Sequence, residues 1–551
     1  MSGRFQKYSK TPIFPPCLSK WNEKYNIDTK GSRYTIPSLR SSYYGICKYG
    51  NQSSLFHKPS WAFANDCVYS EFFFRCCNSK TATFEFCFDQ LKSSSSNGTC
   101  WDIFQDKGKF KASPYALKIV NDYYLRLNDA QTMVHPVLRG SDKMEVRSAE
   151  KLDHDPPKVR LFIADPFERT VVSNHFSLDF NNKFYSSNCV TASGIGRSKY
   201  FGGYQAFAAK LTIFVNQIGF DVSSNDASQM IIFQLHTILF RWDCMSEEYK
   251  TPDLWVKYIN FYLSDFISFV QMPDGTVLMK FEGTSSGRGN TLVDNTIGTY
   301  RLLTYIFAYC WFQKNQQTVK EYHSAVQFYD EIDYLSPKRS VVNDDLVSVM
   351  DNSLSYNYFN SVVSTLIGGD DCNNGVSQEI HDWFNPDLMA KAALTIGFVI
   401  KFEYMIYKTI DCMSFFSHNF VKLPEVNMYL PAPETSKIFA SLFYKSGSSD
   451  VRWVLLRAFA LRIESWANLE CRKLINSVIE TLLHEYQDEL LGEVVIPGNR
   501  DNLKLLWKDI AAVYMNDDQL SSLYIGHESA TSVSDIAFKH FSYDLVQFLD
   551  L

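Results

Sequence analysis

The segment Leu366-Ile367-Gly368-Gly369-Asp370-Asp371 constrains this chain more than any other. The apolar, β-branched run Val362-Val363-Ser364-Thr365-Leu366-Ile367 reads as a buried strand. Two glycines followed by Asp370, Asp371, Asn373, Asn374 and Gly375 read as the tight turn of a hairpin. Such a turn fixes two carboxylates at one rigid point. Their repulsion costs free energy unless a divalent cation sits among the oxygens. An Asp-Asp pair in a polar turn is otherwise an ordinary solvated corner, so the rest of the chain must decide between the two.

A chain of 551 residues fits two to four domains, or one large enzyme with several lobes around a channel. Hydrophobic residues make up 46% and aromatic residues 15%, ample for a core, which excludes a disordered chain. A net charge of −6 excludes a protein that coats nucleic acid with its whole surface, but not one with a basic channel inside an acidic shell. No apolar run reaches the roughly 18 residues a membrane span requires. The opening MSGRFQKYSK lacks the apolar stretch of a secretory signal, so a cytosolic protein is expected. Thirteen cysteines without a C-x-x-C pair predict reduced, buried thiols rather than disulfides or a zinc site.

Residues 1–60 hold ten Lys or Arg against two acids, interleaved with aromatics such as Trp21, Tyr25, Tyr43 and Tyr44. That mixture suits phosphate contact and base stacking. A strap that wraps other lobes or binds a partner protein reads equally well. Ser93-Ser94-Ser95-Ser96-Asn97-Gly98 is expected to be a surface loop. Thr237-Ile238-Leu239-Phe240-Arg241-Trp242 reads as a strand ending at Asp243. Thr251 as N-cap and Pro252 at the first helical position open an amphipathic helix, and a second helix is predicted from Thr291 to about Phe307. Beyond residue 425 the pattern is helical, with a further helix over 502–515.

Joining nucleotides needs in-line attack by a 3′-hydroxyl between two divalent ions about 3.5–4 Å apart, held by hard oxygen ligands from separate strands. Asp243 at a strand end and Asp370 at a hairpin tip, 127 positions apart, suit that need. Between them, Gly283-Thr284-Ser285-Ser286-Gly287 lets backbone approach a ligand closely, and Thr291 and Asn295 then lie one turn apart on a helix face. Polar groups there can bond a ribose hydroxyl.

These residues carry a resemblance. Ser286-Gly287, Thr291 and Val293-Asp294-Asn295-Thr296 look like motif B of viral RNA-dependent RNA polymerases of the picornavirus-like group. The likeness is nearest to the potyvirus and astrovirus side, and to polymerases of the partitivirus or picobirnavirus type. Asp179-Phe180-Asn181-Asn182-Lys183-Phe184-Tyr185 and the glycine-rich Ile195–Tyr204 segment resemble potyviral polymerase stretches. Lys158-Val159-Arg160-Leu161-Phe162-Ile163 with Asp165-Pro166 resembles motif F, and Phe416-Ser417-His418 resembles motif E. Asp243 and Gly369-Asp370-Asp371 take the motif A and motif C places. The likeness covers roughly residues 155–420, in order.

The resemblance implies an α+β right hand: an antiparallel palm sheet, fingers and a helical thumb. The expected division is a basic, aromatic-rich N-terminal extension over 1–99, and fingers over 100–235 and 273–307. The palm would take 236–272 and 308–425, the thumb 426–551. The implied activity is RNA-directed RNA polymerase, a nucleotidyltransferase replicating or transcribing a viral genome with Mg²⁺ (or Mn²⁺). Asp243 and Asp370 would bind the metals with Asp371 in support. Lys158 and Arg160, with Arg169 as a third cation, would line the triphosphate channel. Ser286, Gly287, Thr291 and Asn295 would handle the template–nucleotide pair and the ribose. The family's second motif A acid, five positions after the first, is here Glu248, one methylene longer than the usual Asp. Lys401 and Lys408 both stand as candidates for the general acid, and Ser417 and His418 would support primer and product.

Single-stranded RNA template, nascent RNA and ribonucleoside triphosphates are the implied partners, with capsid or other replicase proteins as further candidates. The setting would be the host cytoplasm, in a virion or a replication complex. A Met start without an obvious extra domain is expected of a separately encoded polymerase. Two alternatives share much of this pattern. A reverse transcriptase normally carries Tyr-x-Asp-Asp at the hairpin, whereas Ile367-Gly368-Gly369 stands here. A non-catalytic RNA-binding scaffold derived from a polymerase has no reason to retain crowded acids.

Overall fold

The Thr251 hydroxyl accepts a hydrogen bond from the Leu254 N–H, and a helix runs from Pro252 to Leu263, as the cap pattern predicts. The computed structural model describes residues 14–526, except 30, 36–37, 50–54, 92–100, 102–109, 129–134, 144, 316–321, 325–353, 425, 445–449, 492–493, 496–503 and 506–510. The serine-rich loop at 93–98 lies outside the described residues, and the helix expected over 502–515 largely so.

The main helices are α1 (Lys58–Cys76), α2 (Phe167–Ser186), α3 (Ile231–Asp243), α4 (Pro252–Leu263), α5 (Thr291–Lys314), α6 (Thr435–Phe443), α7 (Val451–Glu464) and α8 (Leu469–Glu485). The strands that matter are β1 (Val137–Asp142), β2 (Leu161–Ala164), β3 (Asn216–Val222), β4 (Ile267–Gln271), β5 (Val277–Phe281), β6 (Val363–Gly368), β7 (Asp371–Val376) and β8 (Ile400–Phe402). They form two four-stranded sheets. One has the order β6-β7-β3-β8, antiparallel throughout. The other has the order β2-β1-β4-β5, with β1 and β4 parallel.

The hairpin forms where the sequence places it, but its turn is tighter. Gly368 pairs with Asp371, so Gly369 and Asp370 alone make the turn, and Asp371 already begins the return strand. Gly369 has φ +71°, the left-handed region that a two-residue hairpin turn uses.

Two expectations change. Thr237–Trp242 is helical, the second half of α3. The apolar run begins at Met230 and extends thirteen residues, longer than a strand allows, and α3 is buried on nearly every side. The strand beside the hairpin is instead β3, which lies within the span expected to belong to the fingers. The sheet that carries the hairpin therefore draws on chain well before residue 236.

The described residues between 14 and 49 work as a strap. At one end, Trp21 stacks on Phe439 of α6 at 5.5 Å and its indole N–H donates to the Ser477 hydroxyl of α8 at 2.8 Å. Cys17, Leu18 and Trp21 join the core of α6, α7 and α8. Further on, Arg33-Tyr34 pairs antiparallel with Val146-Arg147, and the helix Leu39–Ile46 packs on β1 and β2. Tyr49 then lies over Gly283. The wrapping reading of this basic stretch holds for these residues. Residues 1–13 lie outside the described ones.

Candidate active site

Asp371 pairs in register with Asp221 on β3, and Asp221 pairs on its other side with Lys401 on β8. Residues that pair across a sheet point to the same face, so two carboxylates and a lysine stand in one row, with Asp370 at the turn beside them. Burial, and then the charge of Asp370, push the Asp221 carboxyl up to about 6 against the pull of Lys401 and Lys151. Burial pushes Asp371 up to about 7. The Phe416 N–H, donating to Asp371 Oδ2 at 2.7 Å, pulls it down, while Asp370, Asp221 and Glu403 push it further up. Negative charge is thus crowded here without matching positive charge at contact distance.

Five residues beyond Asp221, the Asp226 carboxylate accepts from Asn295 Nδ2 at 2.8 Å. Arg160 reaches Asp226 at 3.7 Å. Burial raises the Asp226 carboxyl, opposed by the Asn295 hydrogen bond and Arg160. The Oδ1 atom of Asn295 is buried and has no protein partner among the described residues. The helix that carries Asn295 also fixes the hairpin. Thr296 Oγ1 accepts from the Gly369 N–H at 2.9 Å, and Thr299 Oγ1 donates to the Gly369 carbonyl at 2.7 Å.

Upstream of α5, the Ser286 hydroxyl accepts from Ile163 N–H at 3.1 Å and Gly287 N–H donates to the Ile163 carbonyl at 2.7 Å. A side chain at 287 would collide with Phe162 and the β2 backbone, so only glycine allows this approach. Thr291 caps the turn by donating to the Ser285 and Arg288 carbonyls. The motif-F-like strand and the motif-B-like loop are therefore one rigid wall. Lys158 and Arg160 stand at its edge, Lys158 half-buried and Arg160 exposed.

Three expected site residues lie elsewhere. Asp243 ends α3, where the Tyr69 hydroxyl donates to its carboxylate, and Lys250 Nζ donates to its carbonyl at 3.1 Å. The residue ends a helix, not a strand, so it is not carried to the hairpin. Glu248 is exposed in a short 3-10 turn, and the position five after Asp221, the acid that pairs with Asp371, is Asp226. Arg169 is fully buried, donating to Asp265, to Ser264 at 2.9 Å and to Tyr123 at 2.9 Å, so it cannot reach a triphosphate. It belongs to an ion network in which Arg288 also binds Asp265 and Asp294, and Arg241 binds Asp294 at 2.7 Å.

Lys408 bridges to Gln217 at the far end of β3 and lies over the Tyr404 ring at 5.2 Å, whereas Lys401 is level with Asp221. Ser417 is exposed in a turn at φ +63°. His418 Nε2 lies 3.2 Å from Lys199 and 3.5 Å from Glu464 of α7. Burial would raise the Glu464 carboxyl, but His418, Lys199 and Tyr200 together hold it down near 2. The cysteines described are all free thiols.

Asp221, Asp370 and Asp371 offer a donor set of hard oxygens without thiol or imidazole, which suits Mg²⁺ or Mn²⁺. Among the described residues no three such side chains are already drawn together as a closed metal cage. The raised proton affinities of Asp221 and Asp371 are what uncompensated carboxylates show before a cation neutralises them.

The family model described as viral RNA-dependent RNA polymerase matches residues 74–486. The genome polyprotein of Beet mosaic virus is 30% identical over 176 residues, 32% of this chain and 6% of the polyprotein. That of Ryegrass mosaic virus is 27% identical over 248 residues, 43% of this chain and 7% of the polyprotein. The chain thus spans only a small part of the curated relatives it matches. Among solved structures, a Sicinivirus 3Dpol RNA-dependent RNA polymerase superposes with a TM-score of 0.65 at 12% identity, covering 88% of this chain and 94% of that one. At that identity the likeness speaks for the right-hand polymerase fold.

Proposed function

Because the chain belongs to the viral RNA-dependent RNA polymerase family, we propose that it copies a single-stranded RNA template from ribonucleoside triphosphates and releases pyrophosphate. Asp221 and Asp370, with Asp371 in support, hold the divalent ions. Bound there, Mg²⁺ or Mn²⁺ supplies positive charge to the attacking and leaving oxygens.

The remaining roles fall to the chain's own groups. Asn295, oriented by Asp226, offers hydrogen bonds to the ribose. Lys158 and Arg160 draw the triphosphate into the channel, and the Ser286–Gly287 wall with Thr291 aligns the template–nucleotide pair. Lys401, level with Asp221, gives a proton to the leaving pyrophosphate, and Lys408 does not. Ser417 and His418, on the turn that bonds Asp371, support the primer end. The palm is built on the β6-β7-β3-β8 sheet and the thumb on α6, α7 and α8. The setting is the host cytoplasm, in a virion or a replication complex, as copying a viral RNA genome implies.

The pairing of Asp221 with Asp371 carries this reading. Primer extension on defined single-stranded RNA with Mg²⁺ tests it. Nucleotides should be incorporated by the natural protein and lost in Asp221→Asn and in Asp370→Asn. Incorporation that persists in both variants would point instead to a scaffold that no longer catalyses.

A further inference from the structure

The turn that bonds Asp371 is one its own residues do not favour. Strands Ser414–Phe415 and His418–Leu423 pair with Phe415 opposite His418, so Phe416 and Ser417 alone make the turn. Their φ angles are +51° and +63°, a left-handed pair that such turns usually give to asparagine and glycine. Phe416 and Ser417 are neither. A conformation of this kind persists only where its surroundings hold it.

The surroundings are specific. The Phe416 ring covers Gly368, where any side chain would strike it, so the turn is seated on the hairpin that carries the acids. The Tyr204 hydroxyl reaches the carbonyls of Phe415, at 3.2 Å, and of His418. His418 Nδ1 lies 2.7 Å from the Phe416 carbonyl, so it carries the ring proton and donates across the turn. That leaves His418 Nε2 to accept from Lys199 at 3.2 Å. Lys199 is paired with Glu464 at the end of α7, whose other oxygen accepts from the Tyr200 hydroxyl at 3.0 Å. A continuous run of contacts therefore leads from Glu464 through Lys199, His418 and Phe416 to the N–H on Asp371.

We propose that Glu464 is a positioning residue for the metal site: by holding Lys199 on His418, it keeps the Phe416–Ser417 turn left-handed and the Phe416 N–H on Asp371. This deepens, and rests on, the reading of Asp221, Asp370 and Asp371 as metal-holding acids. An N–H aimed at a carboxylate favours its ionised, cation-binding form, and a turn that relaxes takes that donor away. The turn is the element with two arrangements, and Glu464 biases it from a helix of the proposed thumb.

Mg²⁺ binding, read as the rise in melting temperature at alkaline pH without RNA or nucleotides, tests this on the whole chain. Glu464→Ala should need at least about threefold more Mg²⁺ for the same rise, less than the tenfold or more that losing a direct partner of a metal ligand costs. Glu464→Gln keeps an oxygen for Lys199 and Tyr200 and should bind nearly as the natural protein does. So should Glu480→Gln, which removes an exposed acid of α8. Ser417→Gly relieves the left-handed turn, so adding it to Glu464→Ala should recover most of the loss. Lys199→Met breaks the same run one link later and carries the test if Glu464→Ala does not fold. A folded Glu464→Ala or Lys199→Met protein with the natural Mg²⁺ requirement overturns the proposal, as does a loss that Ser417→Gly fails to recover. A natural protein indifferent to Mg²⁺ sinks the metal assignment along with it. Mg²⁺ binding that depends on Glu464 in a protein that never incorporates nucleotides would sink the polymerase reading and leave this one standing.

Discussion

Asn295 donates from its side-chain amide to the carboxylate of Asp226 across 2.8 Å, joining the start of α5 to the short helix Asn225–Ser228 after β3. The bond fixes which amide atom points away, and that atom, Oδ1, is buried without a partner among the described residues. A pair poised in this way can take a hydrogen bond from the ribose 2′-hydroxyl. Asp226→Ala frees the amide to rotate. It should reduce the preference for ribo- over deoxyribonucleotides at least tenfold, about 1.4 kcal/mol in transition-state discrimination. Glu248→Ala, exposed and remote, should leave the preference unchanged. Competing single-nucleotide incorporation on one RNA template measures both. The same assay addresses a reverse transcriptase, which would favour deoxyribonucleotides from the outset.

Asp221 and Asp243 make a second contrast. Asp221 lies in register with Asp371, while Asp243 serves the end of a helix and the Tyr69 hydroxyl. Asp221→Asn should lower kcat by about a thousandfold or more, as loss of a metal-holding carboxylate and its electrostatic stabilisation entails. Asp243→Asn should keep kcat within about twofold, since it retains a hydrogen-bond acceptor for Tyr69. Equal losses in the two variants would mean the acid row has been wrongly identified.

The hairpin was legible because β-branched strand, glycine pair and acids obey one local rule. The helix cap at Thr251-Pro252 was legible for the same reason. Asp221 was not. Its strand opens with Asn216 and Gln217 and contains Gly219, so neither alternation nor a β-branched run marks it. Asp243 followed a far stronger apolar run, but that strength came from a helix buried almost all round. The spacing Asp221 to Asp226, joined to the later Asn295, was the signal available.

Arg169 illustrates a cation placed by the fold rather than by a ligand. Its guanidinium serves Asp265, Ser264 and Tyr123 with no exposed surface. Arg169→Ala leaves Asp265 short of a partner in a dry interior. It should destabilise the protein by about 3–5 kcal/mol, because a buried charge loses its counter-ion. Urea denaturation measures the loss. Any folded fraction should bind nucleotides with an unchanged KM, in contrast to Arg160→Ala, which should raise KM while leaving the denaturation midpoint nearly unmoved.

Asp221 and Asp371 have folded-state values raised to about 6 and about 7. A free-chain aspartate titrates at about 3.9, so between that value and 7 these two groups hold more protons in the native state than in the unfolded chain. The stability that these two carboxylates contribute to the metal-free protein, read as the difference between the natural protein and Asp371→Asn, should therefore fall as pH rises through this window, by at most about 1.4 kcal/mol per pH unit for each proton concerned. It should level off once both acids are ionised. A divalent cation binds the ionised forms and competes with those protons, so its stabilisation should be small near pH 5 and largest above about pH 7.5. Asp371→Asn removes one of the two groups. It should flatten the metal-free profile and raise the melting temperature at alkaline pH while impairing catalysis. Thermal denaturation across this range, with and without millimolar Mg²⁺, reads all of these. A stability difference between the natural protein and Asp371→Asn that did not fall from pH 4 to 7, with Mg²⁺ shifts independent of pH, would show that the acid row is not the uncompensated cluster its geometry describes.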